Sequence, residues 1–443
     1  MPVTQAVILC GGKGTRLGEH ARDLPKSMVL VGGVRVLDHI MECLARGGVR
    51  RFVLSAGHLG QVIAEAYARS PIPGCTVETV IETTPRGTAG ALHELKGLLD
   101  EEFVVAYGDV FMDFNAGALL AAHESHRPAC TLLVRASDHP EDSHLVVADE
   151  GGRVTEFVHL REPGRRYRNV ANAGVYVLNR RVLDFIPQDG PSDFGADIFP
   201  ALLGRGEVVR THALEAEGYV KDMGTPARLA QVEEFIADRA AAEMARTNPR
   251  ALTTVFLDRD GVLNREEGLI ESPERLAVLP DAGEAVALLS QLGLRCVVVT
   301  NQPVVARGLC DEATLSRIHE RLRETIAAAG GKLAAIYHCP HHPETHHDEG
   351  GKVELRRACR CRKPSPGMIF QAMRELNVDL AGAVIVGDRA TDIRAGRAAG
   401  IRTVLVGDEA GRARERAACK PDAEYDSLLA FARALSEREV FSR

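Results

Sequence analysis

At 443 residues the chain exceeds what one hydrophobic core of ordinary size holds, so two domains are expected. Its 45% hydrophobic and 26% charged residues mark a globular protein, and a net charge of −7 gives no reason to expect nucleic acid or an anionic membrane as partner. Phosphate-binding surfaces must then be local, built from a few Lys and Arg side chains. No charged-then-apolar leader opens the sequence, and no apolar run approaches the roughly 20 residues a bilayer requires. Ten cysteines in so long a chain make no disulfide scaffold, so a cytoplasmic protein with reduced thiols is expected.

Strand-like apolar runs alternate with helical stretches, the pattern of α/β domains with largely parallel sheets. Strands are expected at 6–9, 51–55, 76–81, 103–106, 131–136 and 175–178. A helical stretch at 227–246 ends at Thr247-Asn248-Pro249, a stop followed by a turn, which divides the chain into domains 1–248 and 249–443. A helical junction of this kind is expected to fix the domains against each other. Strands then follow at 254–257, 295–299, 334–337, 383–386 and 403–406, and a helix at 311–329 is capped by Asp311.

The first strand runs into Gly11-Gly12-Lys13-Gly14-Thr15-Arg16-Leu17, with Leu24-Pro25-Lys26 shortly after. Glycine lets a phosphate chain approach the backbone, and a strand-to-loop turn points N–H groups at an anion. Such a loop alone also serves tight turns for steric reasons. Here Gly87-Thr88-Ala89-Gly90, Gly108-Asp109, Asn172-Ala173-Gly174-Val175-Tyr176 and Lys221-Asp222-Met223-Gly224-Thr225-Pro226 follow it. The set resembles the sugar-1-phosphate nucleotidyltransferase family, whose fold is Rossmann-like.

That resemblance implies that Arg16 grips the outer phosphates and Lys26 the α-phosphate region. Asp109 and Asp222 would hold Mg²⁺, Gly11, Gly12 and Gly90 would line the nucleotide, and Asn172 would lie on the substrate side. A sugar 1-phosphate oxygen would attack the α-phosphorus in line, with cations neutralising the displaced pyrophosphate. Arg161-Glu162-Pro163 stands where the family usually has Glu-Lys-Pro, and Glu162 is expected to bind sugar hydroxyls. A loop-capping aspartate is the bland alternative for Asp109.

Past the midpoint, Asp258-Arg259-Asp260-Gly261 follows the strand at 254–257. Two carboxylates flanking one residue suit a nucleophile and an acid–base, with Mg²⁺ suppressing their repulsion. Asp-x-Asp alone is common and mostly structural. Val299-Thr300-Asn301, Arg362-Lys363-Pro364 and Gly387-Asp388 with Asp392 arrive in order, and this succession resembles the haloacid dehalogenase superfamily of phosphatases. The resemblance assigns Asp258 as nucleophile, Asp260 as acid and then base, and Thr300 and Lys363 as stabilisers of the phosphoryl group. Asn301 would lie beside the substrate. Mg²⁺ would be held by Asp258, the Asp260 carbonyl and Asp388, with Asp392 supporting the loop.

Between these motifs stand Cys339-Pro340-His341-His342 and Cys359-Arg360-Cys361. Three thiolates and an imidazole on two short loops complete a tetrahedral structural Zn²⁺ site. His341 is favoured because Cys-x-His mirrors Cys-x-Cys, and His342 is its competitor. His338, His342, His346 and His347 otherwise read as solvated loop residues. A zinc-ribbon nucleic-acid module is the rival reading, opposed by the acidic chain and the lack of stacking aromatics.

Cys-Pro-His-His-Pro, Cys-Arg-Cys-Arg-Lys-Pro, Thr-Asn-Gln and Ala306-Arg307-Gly308 further resemble the heptose 1,7-bisphosphate 7-phosphatases, whose scaffold the histidinol phosphatases share. Arg362 would help recognise the sugar phosphate. Pro303-Val304-Val305 replaces the usual Ser-Gly-Ile, and Arg389, beside the substrate, stands where the family often has Lys.

The two resemblances converge on one route. A 7-phosphatase yields heptose 1-phosphate, which a sugar-1-phosphate nucleotidyltransferase consumes, and GTP is the donor expected from the logic of that route. Two alternatives stand: a mannose-1-phosphate guanylyltransferase fused to a heptose-bisphosphate or histidinol phosphatase, and a non-catalytic nucleotide-sugar sensor beside the phosphatase. Intact Lys26, Asp109 and Asp222 weigh against the sensor. The expected partners are small molecules: the bisphosphate, the sugar 1-phosphate and a nucleoside triphosphate.

Overall fold

The computed structural model describes residues 2–12, 24–68, 72–138, 144–158, 167–343 and 351–437. The chain forms two compact units, Met1–Ile236 and Ala237–Arg443, and the division falls inside the helix Pro226–Thr247. The sequence-derived boundary at 248/249 marks the end of that helix.

In the first unit, strand Gln5–Cys10 is almost wholly buried, as expected of a central parallel strand covered on both faces. It pairs in parallel with Arg51–Ala56 on one side and Glu102–Tyr107 on the other, and Thr76–Ile81 extends the sheet in parallel. Successive residues serve opposite faces. Ala6, Ile8 and Cys10 join one apolar cluster with Val104 and Ala106, while Val7 joins the other with Phe103 and Val105. Helix Val36–Arg46 buries Val36, Leu37, Ile40, Met41, Cys43 and Leu44 against the first cluster. That spacing is the stripe of an amphipathic helix. Truncating a fully buried member such as Leu44 to Ala would cost roughly 2–5 kcal/mol.

The outer part of this sheet departs from the largely parallel expectation. Ala171–Asn179 runs antiparallel to both Glu102–Tyr107 and Cys130–Arg135, and Leu145–Ala148 pairs antiparallel with Val154–Val158. The sheet is therefore mixed. A separate ribbon joins Val110–Asp113 to Tyr219–Asp222 with Asp222 opposite Val110. It brings together two segments more than 100 residues apart in sequence.

The second unit holds a six-stranded, wholly parallel sheet. Its order is Leu333–Cys339, Arg295–Asn301, Thr254–Leu257, Ala383–Gly387, Arg402–Val406 and Ala423–Tyr425. The chain starts in the middle, builds one side, then returns to build the other. The C-terminal end of Thr254–Leu257 is thus a switch point, where open α/β sheets form their crevice. Helix Glu312–Ala328 is capped as expected, with Asp311 accepting a 2.7 Å hydrogen bond from the Thr314 N–H. Among the described residues no helix is long and apolar enough to cross a membrane.

Candidate active sites

Strand Gln5–Cys10 delivers Gly11 and Gly12 to a cleft of about 420 Å³, also lined by Lys26, Glu82, Thr88, Tyr107 and Asp109. The loop is packed directly on backbone: a Cβ at Gly57 would lie 2.9 Å from the Gly11 Cα, so only glycine fits there. Lys26 is paired with Asp109, and Asp222 with Arg228. The ribbon sets the two aspartates side by side, the Met223 N–H donating to the Asp109 carbonyl at 3.0 Å. Carboxylates are hard oxygen donors of the kind Mg²⁺ takes alongside substrate phosphates, and these two are engaged by different cations, Asp109 by Lys26 at the cleft and Asp222 by Arg228.

Asn172 donates to the Tyr176 hydroxyl at 2.8 Å, which donates to the Tyr107 hydroxyl at 3.2 Å on the cleft wall. Burial pushes the Tyr107 phenol up to about 12, so it works as a neutral hydrogen-bonding group. Gly90, expected at the nucleotide, packs instead against Ser192, while Gly87, Thr88 and Ala91 of the same helix line the cleft. Arg16 and Glu162 lie outside the described residues.

At the switch point of the second unit, Asp258, Thr300 and Asp388 stand at the ends of three adjacent strands. Lys363 Nζ lies 2.7 Å from Asp258 Oδ1 and 2.5 Å from Asp392 Oδ1, and donates to the Val299 carbonyl at 2.8 Å. Asn301 grips the Lys363 backbone in both directions, accepting from its N–H and donating to its C=O at 3.0 Å each. Its amide therefore fixes Lys363. Burial, reinforced by Asp392, pushes Asp258 up to about 7 against the lowering pull of Lys363. Burial, then Asp258 and Asp392, pushes Asp388 up to about 8.

These carboxylates fit a divalent cation. Ligand atoms of Asp258, Asp388 and Asp392 lie within 4.8 Å of one another, and Asp388 Oδ1 is buried with no hydrogen-bond partner among the described residues. Mg²⁺ would relieve both the repulsion and the orphaned oxygen. Asp392 is already used: besides Lys363, it accepts from the Arg389 N–H at 3.1 Å, which is the loop-supporting role expected. Gly261, at φ +76°, cannot carry a side chain, because a Cβ would lie 2.2 Å from Asp388 Oδ2.

The Asp260 carboxylate stands apart from that cluster. It accepts from Arg259 Nη2 at 2.9 Å, Asn264 Nδ2 at 2.9 Å and Gln302 Nε2 at 2.7 Å. Gln302 also donates to Thr300 Oγ1 at 2.9 Å and accepts from Arg259 at 3.0 Å, tying the Asp260 carboxylate to the Thr300 hydroxyl. Arg389 pairs with Glu266 and lies 3.5 Å from Asp388 Oδ2.

Cys339, His341, Cys359 and Cys361 converge as the spacing predicts. The three Sγ atoms lie 3.3–3.4 Å apart, and His341 Nδ1 is 3.4 Å from Cys361 and 3.7 Å from Cys339. All the cysteines are free thiols, so the cluster can hold a metal. Arg362 donates to the His341 carbonyl at 3.1 Å, bracing the two loops. His342 is not solvated as expected: it is buried, with its ring 3.5 Å from Arg307. His338 pairs with Glu312, and His346 and His347 lie outside the described residues.

Sequence reasoning missed Glu82, Thr88 and Tyr107 in the first unit and Arg259 and Gln302 in the second. Glu82 and Gln302 each follow directly on a strand, and a polar residue at a strand's C-terminal end was the available signal.

The chain matches the Nucleotidyl transferase family over residues 5–239 and the HAD-hydrolase-like family over residues 360–431. The D-glycero-beta-D-manno-heptose-1,7-bisphosphate 7-phosphatase of Pseudomonas aeruginosa is 40% identical over 186 residues, 41% of this chain and 96% of that protein. The mannose-1-phosphate guanylyltransferase of Mycobacterium tuberculosis is 33% identical over 243 residues, 54% of this chain and 64% of that protein. The chain thus spans under two thirds of the latter. The crystal structure of HddC from Yersinia pseudotuberculosis complexed with GMP-PN is 25% identical, covering 53% of this chain and 100% of that one at a TM-score of 0.45.

Proposed function

We propose a two-step reaction sequence from the premise that the chain belongs to the nucleotidyl transferase family and, in its second half, to the family of heptose-bisphosphate 7-phosphatases. The second unit removes the 7-phosphate of D-glycero-D-manno-heptose 1,7-bisphosphate. The first transfers a nucleotidyl group, GMP from GTP, to the heptose 1-phosphate left behind.

The observation that carries the first step is Asp258 at the switch point with Lys363 at 2.7 Å and Asp260 on the same loop. An Asp258 oxygen attacks phosphorus and the bond to the sugar oxygen breaks, while Asp260 donates the proton that the leaving alcohol needs. Asp260, now a base, takes a proton from water, and the water oxygen displaces Asp258 from phosphorus to release phosphate. Lys363 favours the ionised form of Asp258 and, with Thr300, neutralises charge on the phosphoryl oxygens. Asp258, the Asp260 carbonyl and Asp388 would hold Mg²⁺, which would supply further charge neutralisation. Cys339, His341, Cys359 and Cys361 would hold Zn²⁺, which would fix the loop that carries Arg362 and Lys363.

In the first unit, Gly11 and Gly12 receive the nucleotide backbone-first, and Lys26, released from Asp109, meets the α-phosphate. Asp109 and Asp222 would hold Mg²⁺, which would supply charge neutralisation for the displaced pyrophosphate. Arg16 and Glu162 complete the phosphate and sugar contacts. Guanine as the base is supported by the route and by the guanylyltransferase relative. That same relative favours a second reading, in which the sugar is mannose 1-phosphate.

Phosphorus NMR of the purified protein with the bisphosphate, Mg²⁺ and GTP tests both steps. Inorganic phosphate from position 7 should appear first, then pyrophosphate. Loss of the 1-phosphate would break the sequence, and pyrophosphate release from mannose 1-phosphate alone would select the second reading. Both reactants are small and water-soluble, which suits a cytoplasmic enzyme with no nucleic-acid or membrane partner.

A further inference from the structure

Asp238 is a buried carboxylate that neither reaction uses. It lies on the helix Pro226–Thr247, past the point where the chain passes into the second unit, and its side chain is 3% exposed. Both oxygens are engaged by arginines: Oδ2 accepts from Arg360 Nη2 at 2.5 Å and Oδ1 from Arg374 Nη1 at 2.8 Å. Arg360 is the residue between Cys359 and Cys361. Its carbonyl accepts from the Gly367 N–H at 3.0 Å, so this short loop is pinned through side chain and backbone together.

A second observation points the same way. Ala242 and Ala245, on the same helix, belong to the apolar cluster that contains Cys339, and Ala241, Cys359 and Cys361 pack against that cluster. The helix is therefore tied to the cysteine loop by a charge pair and shares an apolar cluster with it. Lys363 stands three residues after Arg360. A displacement of Arg360 is carried to Lys363 through Cys361 and Arg362, with little chain in which to absorb it.

We infer that Asp238 is a positioning residue for phosphate release: the end of the connecting helix braces the cysteine loop and, through it, Lys363. The residues from 237 onward then belong functionally to the phosphatase, although they read as the tail of the preceding domain. A buried carboxylate between two guanidiniums is stable only as a set. Removing it takes away the carboxylate that both guanidiniums share beside the loop. Arg374 reaches Asp238 from helix Gly367–Leu376 and Arg360 reaches it from between the two cysteines, so the two arginines test support of the fold and support of the loop separately.

The inference rests on the phosphatase reading, and its test uses the full-length chain. Asp238→Asn, Asp238→Glu, Arg360→Ala and Arg374→Ala are assayed for kcat and KM of phosphate release from heptose 1,7-bisphosphate. Thermal unfolding and the rate of zinc loss to a chelator are followed in parallel, with pyrophosphate release from GTP as the internal control. Asp238→Asn and Arg360→Ala should lower kcat by about 10- to 100-fold, the scale on which outer supports of a metal site act. KM and pyrophosphate release should hold, zinc should leave faster, and Asp238→Glu should recover part of the kcat. Arg374→Ala should lower the melting temperature while leaving kcat essentially unchanged.

Equal kcat losses in Arg360→Ala and Arg374→Ala, or an unchanged kcat in both Asp238→Asn and Arg360→Ala, would overturn the inference. Should Asp238→Asn not fold, Arg360→Ala against Arg374→Ala decides. A wild-type chain that releases no phosphate would refute the phosphatase reading instead, and the rate of zinc loss would still judge the role of Asp238.

Discussion

In the first unit, a cleft of about 420 Å³ is walled by glycine backbone, the Tyr107 phenol, the Ser27 and Thr88 hydroxyls and the carboxylates of Glu82 and Asp109, and Lys26 is the lysine or arginine that lines it among the described residues. In the second, Asp258, Asp260, Asp388, Asp392, Arg259 and Lys363 crowd one strand end, several of them almost without solvent contact. The contrast follows from what each site must hold. A nucleoside triphosphate is large and is recognised largely by shape, so the protein supplies room and close backbone. A single phosphoryl group is compact, so nucleophile, acid and cation must be arranged before it arrives. That arrangement has a cost visible in the structure: burial lifts Asp258 to about 7 and Asp388 to about 8, held in check by Lys363 at the nucleophile. The crowded site should then be the more sensitive to small changes, and the open one should respond mainly where charge is removed.

The sharpest break between the two is at the nucleophile. Asp258→Asn should lower phosphate release by at least about 10⁴-fold, the scale on which loss of a covalent nucleophile acts, while nucleotidyl transfer to supplied sugar 1-phosphate stays near normal. A folded variant that loses both activities would show that the sites do not act independently. Asp109→Ala is the mirror experiment. It should cost pyrophosphate release about 10²–10³-fold, equivalent to several kcal/mol of charge stabilisation, and spare phosphate release.

Gln302→Ala sharpens the comparison within the crowded site. It removes bonds to Asp260, Thr300 and Arg259 without touching the phosphate, and leaves buried groups unpaired. A loss of about 1–3 kcal/mol, read as roughly 10- to 100-fold in kcat with KM little changed, is expected from steady-state kinetics. Cys359→Ser should act on stability before chemistry. About one zinc ion per chain should bind wild-type protein and be lost from the variant, on the four-ligand rule for structural zinc. The second unit's melting temperature should fall by roughly 10 °C. Metal analysis finding no zinc in chelator-free wild-type protein would remove that role. The smallest effect belongs to the open cleft, where Asn172→Ala cuts one link to Tyr176 and Tyr107. It should raise the KM for sugar 1-phosphate by a few-fold, about 1 kcal/mol for one hydrogen bond.

Much of this was legible in the residues themselves. The strands at 254–257, 295–299 and 383–386 are continuous apolar runs because they are buried on both faces, and each is found in place within a residue or two. The convergence of Cys339, His341, Cys359 and Cys361 announced itself by spacing, since Cys-x-His and Cys-x-Cys put both members of a pair on one short loop. The antiparallel strands Leu145–Ala148 and Val154–Val158 were not legible, being short and only partly buried. That Gly90 packs closely against Arg86 and Ser192 was not legible either, because glycine near a phosphate loop and glycine against a neighbouring segment look alike in sequence. Asp238 reads as an ordinary solvated helix residue, and His342 as a loop histidine, because burial is a property of what packs over a residue.

By itself, then, the sequence determined the α/β class, the order of the strands along the chain and the residue types that carry the chemistry. All three are local, written in periodicity, in glycine and proline and in motif spacing. Which groups meet was decided by tertiary structure alone. The ribbon that sets Asp222 beside Asp109, the reach of Gln302 to Asp260 and the grip of Asp238 on the cysteine loop join residues 42 to 122 positions apart. Such encounters depend on sheet order and on packing across the unit, and no local pattern of residues encodes them.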